Sequence, residues 1–571
     1  MTKLFNDPSV FMDEMLEGFF DIYPQYVTSV PGGMVRSTSS PTSKVSVVVG
    51  GGSGHYPAFY GVVGSGFADG AVVGNVFTSP SMQDVFNVSK AASNGGGVLL
   101  ITGNYAGDVL NFKHAQEKLN SAGIQTQYLW TTDDIASATK EEKHKRRGIA
   151  GSFAVSKVAG AAAEEGSSLD EVFRIASKAN DSVRTYGVGF SGCTLPGSDS
   201  TLFSVPKGMM ELGLGIHGEP GISEGVIPSA AELANILVQG VLEELKDSPI
   251  KRIAVILNGL GATKYEELFV LWMSVSKLLK IAGYEVIQPE VGEIVTSLEM
   301  AGCSLSVMLL DSELERLWSA PADTPAYKKS PQLITSQVKK VASQHQNAPL
   351  DNSQITASAF SRNSASQISD IFGQLLKMLT SAESELGKID AVAGDGDHGR
   401  GMVKGAKAAY EASQSIVARG GGLRSVFTAI GESWAEKAGG TSGVLWGAAL
   451  QSAAKNLDDN STRLSPSQVI DLLTQGVKTI QDLGKANLGD KTMLDAMQPF
   501  CETLSSEYNK SLDFKSAWGI ASEAAEKASK ETANLTPKIG RARPLAERSL
   551  GHPDAGAVSF AMMVQTINKT L

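Results

Sequence analysis

The sequence predicts an α/β domain followed by an all-α domain, on three observations. From about residue 20 to 320, short β-rich runs alternate with glycine loops and helical stretches, as expected of strands and helices packed in layers. From about 321 the chain turns to Ser, Gln, Asn and Pro with little apolar periodicity, which reads as a linker. Beyond about 360 nearly every segment repeats apolar residues at helical spacing. The expected division is a first domain over 1–330, a linker over 331–360 and a helical domain over 361–571. A chain of 571 residues is too long for one hydrophobic core.

In the first domain, strands are expected in "KVSVVVGGGSGH", "GVLLITGNYAGD", "IQTQYLW", "RIAVILNGLGATK", "YEVIQPE" and "LSVMLLD". Their alternation with helices argues for mostly parallel sheet. The segments "NFKHAQEKLNSAG" and "YEELFVLWMSVSKLLKIAG" carry helical spacing and end in glycine, a common helix C-terminus. In the second domain, helices are expected in "QISDIFGQLLKMLTSAESEL", "VFTAIGESWAEKA", "VLWGAALQSAAKNL", "PSQVIDLLTQGVKTIQDLG", "TMLDAMQPFCETLSSEY" and "SAWGIASEAAEKASKETANL".

Composition narrows the function. Apolar residues make up 42% and charged residues 19% of the chain, a globular balance. A formal charge of -10 gives no broad attraction to nucleic acid or an anionic membrane. The one basic run, "KEEKHKRRG" from Lys140 to Gly148, reads as an exposed loop or helix end that needs no ligand. Three separated cysteines form no CxxC pair, so neither a disulfide framework nor a zinc site is suggested. With no signal pattern and no long apolar run, the chain reads as cytoplasmic.

The chemistry sits in glycine loops. Four of the seven histidines, His55, His217, His398 and His552, adjoin glycine, and loops on a rigid scaffold are where sites are built. "GGGSGH", Gly50 to His55, fails as a dinucleotide fingerprint because His55 stands where the third glycine belongs. What remains is a backbone that a small polyhydroxylated ligand can approach. In "NYAGDVLNF", Asp108 lies just past a strand, at the carboxyl end where open α/β sheets bind ligands. It can serve as a general base for a hydroxyl or as a helix N-cap. In "GLGIHGEPG", His217 is a candidate nucleophile.

The stretch "KIDAVAGDGDHGRGM" places Asp390, Asp395 and Asp397 within eight residues, hard oxygen ligands suited to Mg2+. An EF-hand is excluded, since Gly399 and Ala406 stand where that loop needs acids. "AGGTSG", "GDKTM", "GRARPLAERS" and "GHPDAGA" fall between helices. Helix N-termini there are good phosphate acceptors, and Lys491, Arg541, Arg543 or Arg548 could offset polyphosphate charge.

Together these loops resemble the dihydroxyacetone kinase family over nearly the whole chain. Residues 1 to about 330 are similar to its ketone-binding subunit through "GGGSGH", "NYAGDVLNF", "SGCTLP" and "GLGIHGEPG". Residues from about 360 resemble its nucleotide-binding subunit through "DAVAGDGDHG", "GGTSG", "GDKTM", "GRA" and "GHPDAGA". The resemblance implies two α/β subdomains and an eight-helix barrel. It implies that His217 adds to the substrate ketone as a covalent hemiaminal, with Gly52, Ser53, Gly54 and His55 at the substrate, Asp108 as base and His55 assisting. It further implies two Mg2+ ions on Asp390, Asp395 and Asp397. ATP would lie along His398, Gly399, Arg400, Gly401, Thr441, Ser442, Gly484, Met493, Arg541, Asp554, Ala555 and Gly556. Fusion of both halves in one chain resembles the ATP-dependent branch rather than the phosphocarrier-dependent one, and the family favours a swapped homodimer.

Three departures bear on substrate. The family pattern "GGGSGHEPxH" here reads "GGGSGHYPAFY", with Tyr56 and Tyr60 replacing an acid and a histidine. Both are expected beside the ketone. Gly103 stands where some members carry lysine, removing a cation and leaving space. Erythrulose is therefore expected as a substrate beside dihydroxyacetone. Other activities that the resemblance leaves open are a Mn2+-dependent lyase that cyclises FAD to a flavin phosphate and a ketose-binding regulator.

Overall fold

The computed structural model describes residues 4–38, 42–330, 354–394, 396–438, 440–539 and 546–571. Most of the expected linker, 331–360, lies outside them. The chain forms two compact units, Met1–Val338 and Lys339–Leu571.

Within the first unit, α1 (Phe11–Ile22) precedes a sheet built from β1 (Val27–Val30), β2 (Gly33–Arg36), β3 (Lys44–Ser53), β4 (Gly70–Val76), β5 (Gly95–Gly103) and β6 (Thr126–Thr131). Its strand order is β1-β2-β4-β3-β5-β6, parallel from β4 to β6 and antiparallel at the β1-β2-β4 edge. The helices α2 (Met82–Ala92) and α3 (Ala106–Ser121) cover one face, while α4 (Gly151–Glu164) and α5 (Leu169–Ser182) cover the other. All ten residues of β3 are buried. Val48 faces α2 and α3 while Val47 and Val49 face α4, which is why the strand reads as a continuous apolar run.

A second sheet holds β7 (Val183–Gly189), β8 (Met209–Leu212), β9 (Ser223–Val226), β10 (Arg252–Gly259), β11 (Glu285–Val286), β12 (Glu290–Glu293) and β13 (Gly302–Leu309). The expectation of mostly parallel sheet fails here. The order β10-β13-β7-β8-β9 is antiparallel throughout, and only β11 and β12 pair with β10 in parallel. The buried strands β10 and β13 have the same continuous apolar pattern that parallel strands have, because helices cover both faces. Pattern reports burial, not direction. The helices α6 (Ala230–Leu245) and α7 (Tyr265–Ile281) pack on the outer face, with Leu237, Val241, Leu271 and Val275 against Val255, Leu257 and Leu305.

Between the sheets lies α4, helped by α8 (Ser312–Trp318). Its sequence "GSFAVSKVAGAAAE" is dominated by small residues, and all but Ser152 and Glu164 are buried. One core joins Val47, Leu99 and Ile101 of the first sheet, Ala154, Val155 and Val158 of α4, and Ala254, Ile256 and Met308 of the second. Small side chains keep this shared layer thin. At Gly160 an added Cβ would lie 1.8 Å from the carbonyl oxygen of Phe67.

The second unit is all helical. It comprises α9 (Ala359–Asp390), α10 (His398–Ala418), α11 (Leu423–Ala438), α12 (Gly440–Lys455), α13 (Pro466–Gly484), α14 (Leu494–Ser511), α15 (Phe514–Glu531), the short α16 (Ala546–Ser549) and α17 (Ala555–Asn568). Among the described residues, eight of these pack in a closed ring. Each of α9 to α15 touches the next, and α17 touches both α15 and α9. Sequence reading missed α10 and α17, whose first turns coincide with the glycine motifs taken as loops. No helix among the described residues is long and apolar enough to cross a membrane.

Gly160→Ala is expected to destabilise the first unit by about 1–3 kcal/mol, the usual penalty of overpacking. A lower urea midpoint at unchanged slope for that unit's transition would show it.

Candidate active site

Four loops at the carboxyl ends of the first unit's strands meet around a small cavity of about 40 Å3. The β3 loop brings His55, the β5–α3 turn brings Tyr105 and Asp108, the β8–β9 loop brings His217, and the segment after β12 brings Val295. The last segment laces the others together. Thr296 and Leu298 donate backbone N–H groups to the carbonyl oxygens of His55 and Gly54, and the Ser297 hydroxyl donates to the carbonyl of Ile216 at 2.5 Å. Gly54 has φ +100, the left-handed region that suits glycine. It turns the chain so that His55 faces inward.

The two histidines meet head to head, with Nε2 of His55 3.0 Å from Nε2 of His217. His55 Nδ1 donates to the Thr296 carbonyl oxygen at 2.7 Å. Burial, with the charge of His217 second, pushes the His55 pKa down to about 3, so His55 stays neutral and its Nε2 accepts. On the other side of His217, Nδ1 lies 3.0 Å from Glu219 Oε1, and the His217 backbone N–H donates to Glu219 Oε2 at 3.0 Å. Burial alone would raise Glu219, but the hydrogen bonds and charge of His217 outweigh it and hold the carboxyl at about 2. Phe77 stacks on the His55 ring at 5.0 Å, and Tyr105 meets the His217 ring edge-on at 4.8 Å.

Asp108 is in the first turn of α3 and lines the cavity. The helix N-cap is Tyr105, with no side-chain cap, so the capping alternative for Asp108 falls away. Its Oδ1 is buried without a hydrogen-bond partner. Burial pushes its pKa up to about 6, against a hydrogen bond from Ser79 and the charge of His217. Ser53 Oγ and Tyr105 Oη are also buried and unpartnered. Polar atoms of this kind are paired in most proteins, and those of Asp108 and Tyr105, which line the cavity, suit the hydroxyls of a small ligand.

Several expectations need correction. Gly52 lines the cavity with His55, but Ser53 and Gly54 do not. Tyr56 and Tyr60 turn away from it, packing against Phe19 of α1 at 6.3 and 5.1 Å, and Tyr60 donates to the Met15 sulfur. Their positions in the sequence placed them beside His55, but the turn aims the side chains outward. Gly103 lines the cavity, and its bare backbone makes room for the Tyr105 ring, which an added Cβ would approach to 2.8 Å. The basic run is not wholly exposed. Arg146 is buried in a two-pronged pair with Glu244, and Arg147 binds Asp134 and the carbonyl of Gly213. Glu219 was missed, although it stands two residues from His217 in the same motif.

The second unit holds a larger cavity of about 430 Å3, lined by Asp390, Asp397, His398, Arg400, Gly401, Ser442, Gly484, Met493, Asp554, Ala555 and Gly556 among others. The N-termini of α10, α14 and α17 open onto it at His398, Leu494 and Ala555. These offer free N–H groups and positive dipole ends to an anion. Asp390 Oδ2 is buried without a partner. Burial pushes Asp554 up to about 6, with the nearby Asp495 and Asp390 adding to the effect against the Ala557 N–H. Lys491 opposes the effect, and carboxylates that crowd one another in this way suit a divalent metal. Asp395 and Arg541 lie outside the described residues, as does the side chain of Thr441.

Two residues here play other parts than expected. Gly399 does not line the cavity; an added Cβ would lie 2.1 Å from the carbonyl of Glu383, so it lets α10 approach α9. Lys491 lines the cavity, but its ammonium donates to the carbonyls of Leu535 and Ser549, holding the loop before α17. His398 lines the cavity, yet its Nε2 pairs with Ser559 Oγ at 2.9 Å.

Comparison with known proteins defines the class. Residues 17–326 match the Dak1 domain and residues 392–569 the DAK2 domain. The chain belongs to the dihydroxyacetone kinase family. It is 55% identical to the D-erythrulose kinase of Mycolicibacterium smegmatis, over 99% of this chain and 98% of that protein. It is 47% identical to the L-erythrulose kinase of Pectobacterium atrosepticum, over 100% and 97%. Among solved structures it is similar to the dihydroxyacetone kinase of C. freundii in complex with AMP-PNP and Mg2+, at 29% identity and a TM-score of 0.59 over the full length of both chains.

The folded-state pKa of Asp108, about 6, lies above its ordinary 3.8. Between those values the native protein keeps a proton that the unfolded chain has released, so this group's contribution to stability is lost as pH rises through that window. Asp108→Asn is therefore expected to stabilise the first unit by up to about 3 kcal/mol at pH 8 and by little at pH 4. Urea denaturation at both pH values measures the difference.

Proposed function

We propose that this protein is an ATP-dependent kinase that phosphorylates a terminal hydroxyl of a short-chain ketose, erythrulose foremost, held on His217 as a covalent hemiaminal. The observation that carries the reading is the 3.0 Å contact between the His55 and His217 Nε2 atoms beside the unpartnered Asp108 oxygen. A nucleophile, a neutral proton acceptor and a carboxylate with a raised pKa are what addition to a ketone and activation of a hydroxyl require. The full-length erythrulose kinases at 47% and 55% identity support a four-carbon substrate.

In this reading His217 Nε2 bonds the carbonyl carbon, and the carbonyl oxygen becomes a hydroxyl that the unpartnered Tyr105 oxygen can accept from or donate to. A ketone is required for this step, so glycerol-like polyols are refused. The bond fixes the terminal hydroxyl near Asp108, which takes its proton as it attacks the phosphorus. Phosphoryl transfer needs little beyond positioning and charge neutralisation, and covalent capture supplies positioning.

The donor site is the large cavity of the helical unit. Its helix N-termini would hold the triphosphate, and Asp390 with Asp395 and Asp397 would hold Mg2+, which when bound offsets phosphate charge. The orphaned Asp390 oxygen supports that fit. A homodimer and a cytoplasmic location accord with the family resemblance.

ADP release across D-erythrulose, L-erythrulose, dihydroxyacetone and glycerol is expected to show turnover of at least one ketose and none of glycerol. Turnover of no ketose would sink the proposal. The acidic limb of kcat/KM should bend near pH 6, where Asp108 loses its proton, and activity should rise with pH through that point. Asp390→Asn should lower Mg2+-dependent turnover by at least about a hundredfold while leaving ketose capture unchanged by NMR.

A further inference from the structure

The neighbours of His217 determine more than where its ring sits. His55 Nδ1 faces a carbonyl, which only accepts, so the one proton of the neutral His55 ring is on Nδ1 and its Nε2 must accept. His217 Nε2, 3.0 Å away, therefore donates. At the other edge, His217 Nδ1 meets a carboxylate at 3.0 Å, and a carboxylate likewise only accepts. Each ring nitrogen of His217 thus has an acceptor in front of it, the arrangement that suits an imidazolium beside its counter-ion.

Glu219 is held for this. One oxygen takes the His217 ring N–H and the other takes the His217 backbone N–H. Arg147, drawn from the basic run, lies 3.8 Å from Glu219 Oε2 and is itself pinned by Asp134. The motif loop closes around the carboxylate, with the Gly215 N–H donating to the Glu219 carbonyl at 2.9 Å.

We propose that Glu219 is a positioning residue that stores the ketose adduct as an ion pair, by keeping the Nδ1–H of His217 and balancing a positive ring before and after capture. This rests on the hemiaminal reading above. The step balances without any other reagent. The Nε2–H proton passes through His55 Nε2 to the carbonyl oxygen, the carbonyl π pair becomes the O–H bond, and the Nε2 lone pair forms the bond to carbon. The ring enters as an imidazolium and leaves as an N-alkylated imidazolium with Nδ1–H still on Glu219. No net charge is created in a buried site, where creating one would be costly.

The test uses the full-length enzyme and erythrulose labelled with 13C at the carbonyl. In the wild type the labelled carbon should move from the ketone to the tetrahedral region of the spectrum. In Glu219→Gln, which keeps the shape and removes the charge, the apparent affinity for adduct formation should fall by roughly tenfold to a hundredfold, the worth of one hydrogen bond to a charged group. KM for the ketose should rise by a similar factor with kcat changed much less, and 15N spectra should show His217 with one ring proton in place of two. Should Glu219→Gln fold poorly, Glu219→Asp keeps the charge and should retain the adduct and the doubly protonated ring. Equal adduct and equal KM in Glu219→Gln and wild type would overturn the role of Glu219. A wild-type carbon that stays trigonal during turnover would overturn the hemiaminal itself, and is seen before any substitution is made.

Discussion

The first unit is organised around one contact, the approach of two imidazole rings from different sheets. His55 follows a strand of the first sheet and His217 sits in a hairpin loop of the second, 162 residues later. For their Nε2 atoms to lie 3.0 Å apart, the sheets must pack closely with their loops converging at one end. The helix α4, rich in alanine and glycine, helps make that possible, because small side chains keep the layer between the sheets thin. The segment 296–298 then ties both histidine loops to the second sheet through hydrogen bonds made by Thr296, Ser297 and Leu298. Loosening either layer would move the rings apart well before it exposed the core.

The two cavities handle charge in opposite ways. In the first, the polar groups find partners within the protein: Glu219 accepts from His217, and Arg147 pairs with Asp134. The exceptions are the unpartnered oxygens of Asp108 and Tyr105, which suit the hydroxyls of a neutral ligand. In the second, the balance is left open. Acids at Asp390, Asp495 and Asp554 crowd together, with Lys491 near Asp554, while helix N-termini face the same space, a mixture that suits both a cation and an anion. A metal-bound nucleotide brings both at once.

Local sequence was a good guide to which residues matter and a poor one to where side chains point. Tyr56 and Tyr60 adjoin His55 in the chain, yet both rings leave the cavity for α1. Gly103 does line the cavity, but what its missing side chain admits is the Tyr105 ring, which comes from two residues further on. Arg147 was read as part of a solvated run, whereas its partners Asp134, Gly213 and Glu219 come from three separate segments that no local pattern connects. Gly399 belonged to a motif, and its service is to helix packing.

The sequence by itself determined the two-part architecture, the helical character of the second unit and the motifs that place His55, Asp108, His217 and Asp390 at element ends. Those features depend on periodicity and on glycine-rich turns, which are written in consecutive residues. Strand direction in the second sheet, the inward or outward aim of each loop side chain and the partnership of His217 with Glu219 and His55 were decided only in the folded molecule. They depend on which distant segments share a layer, and that follows from how whole helices and sheets fill space rather than from any short stretch of chain.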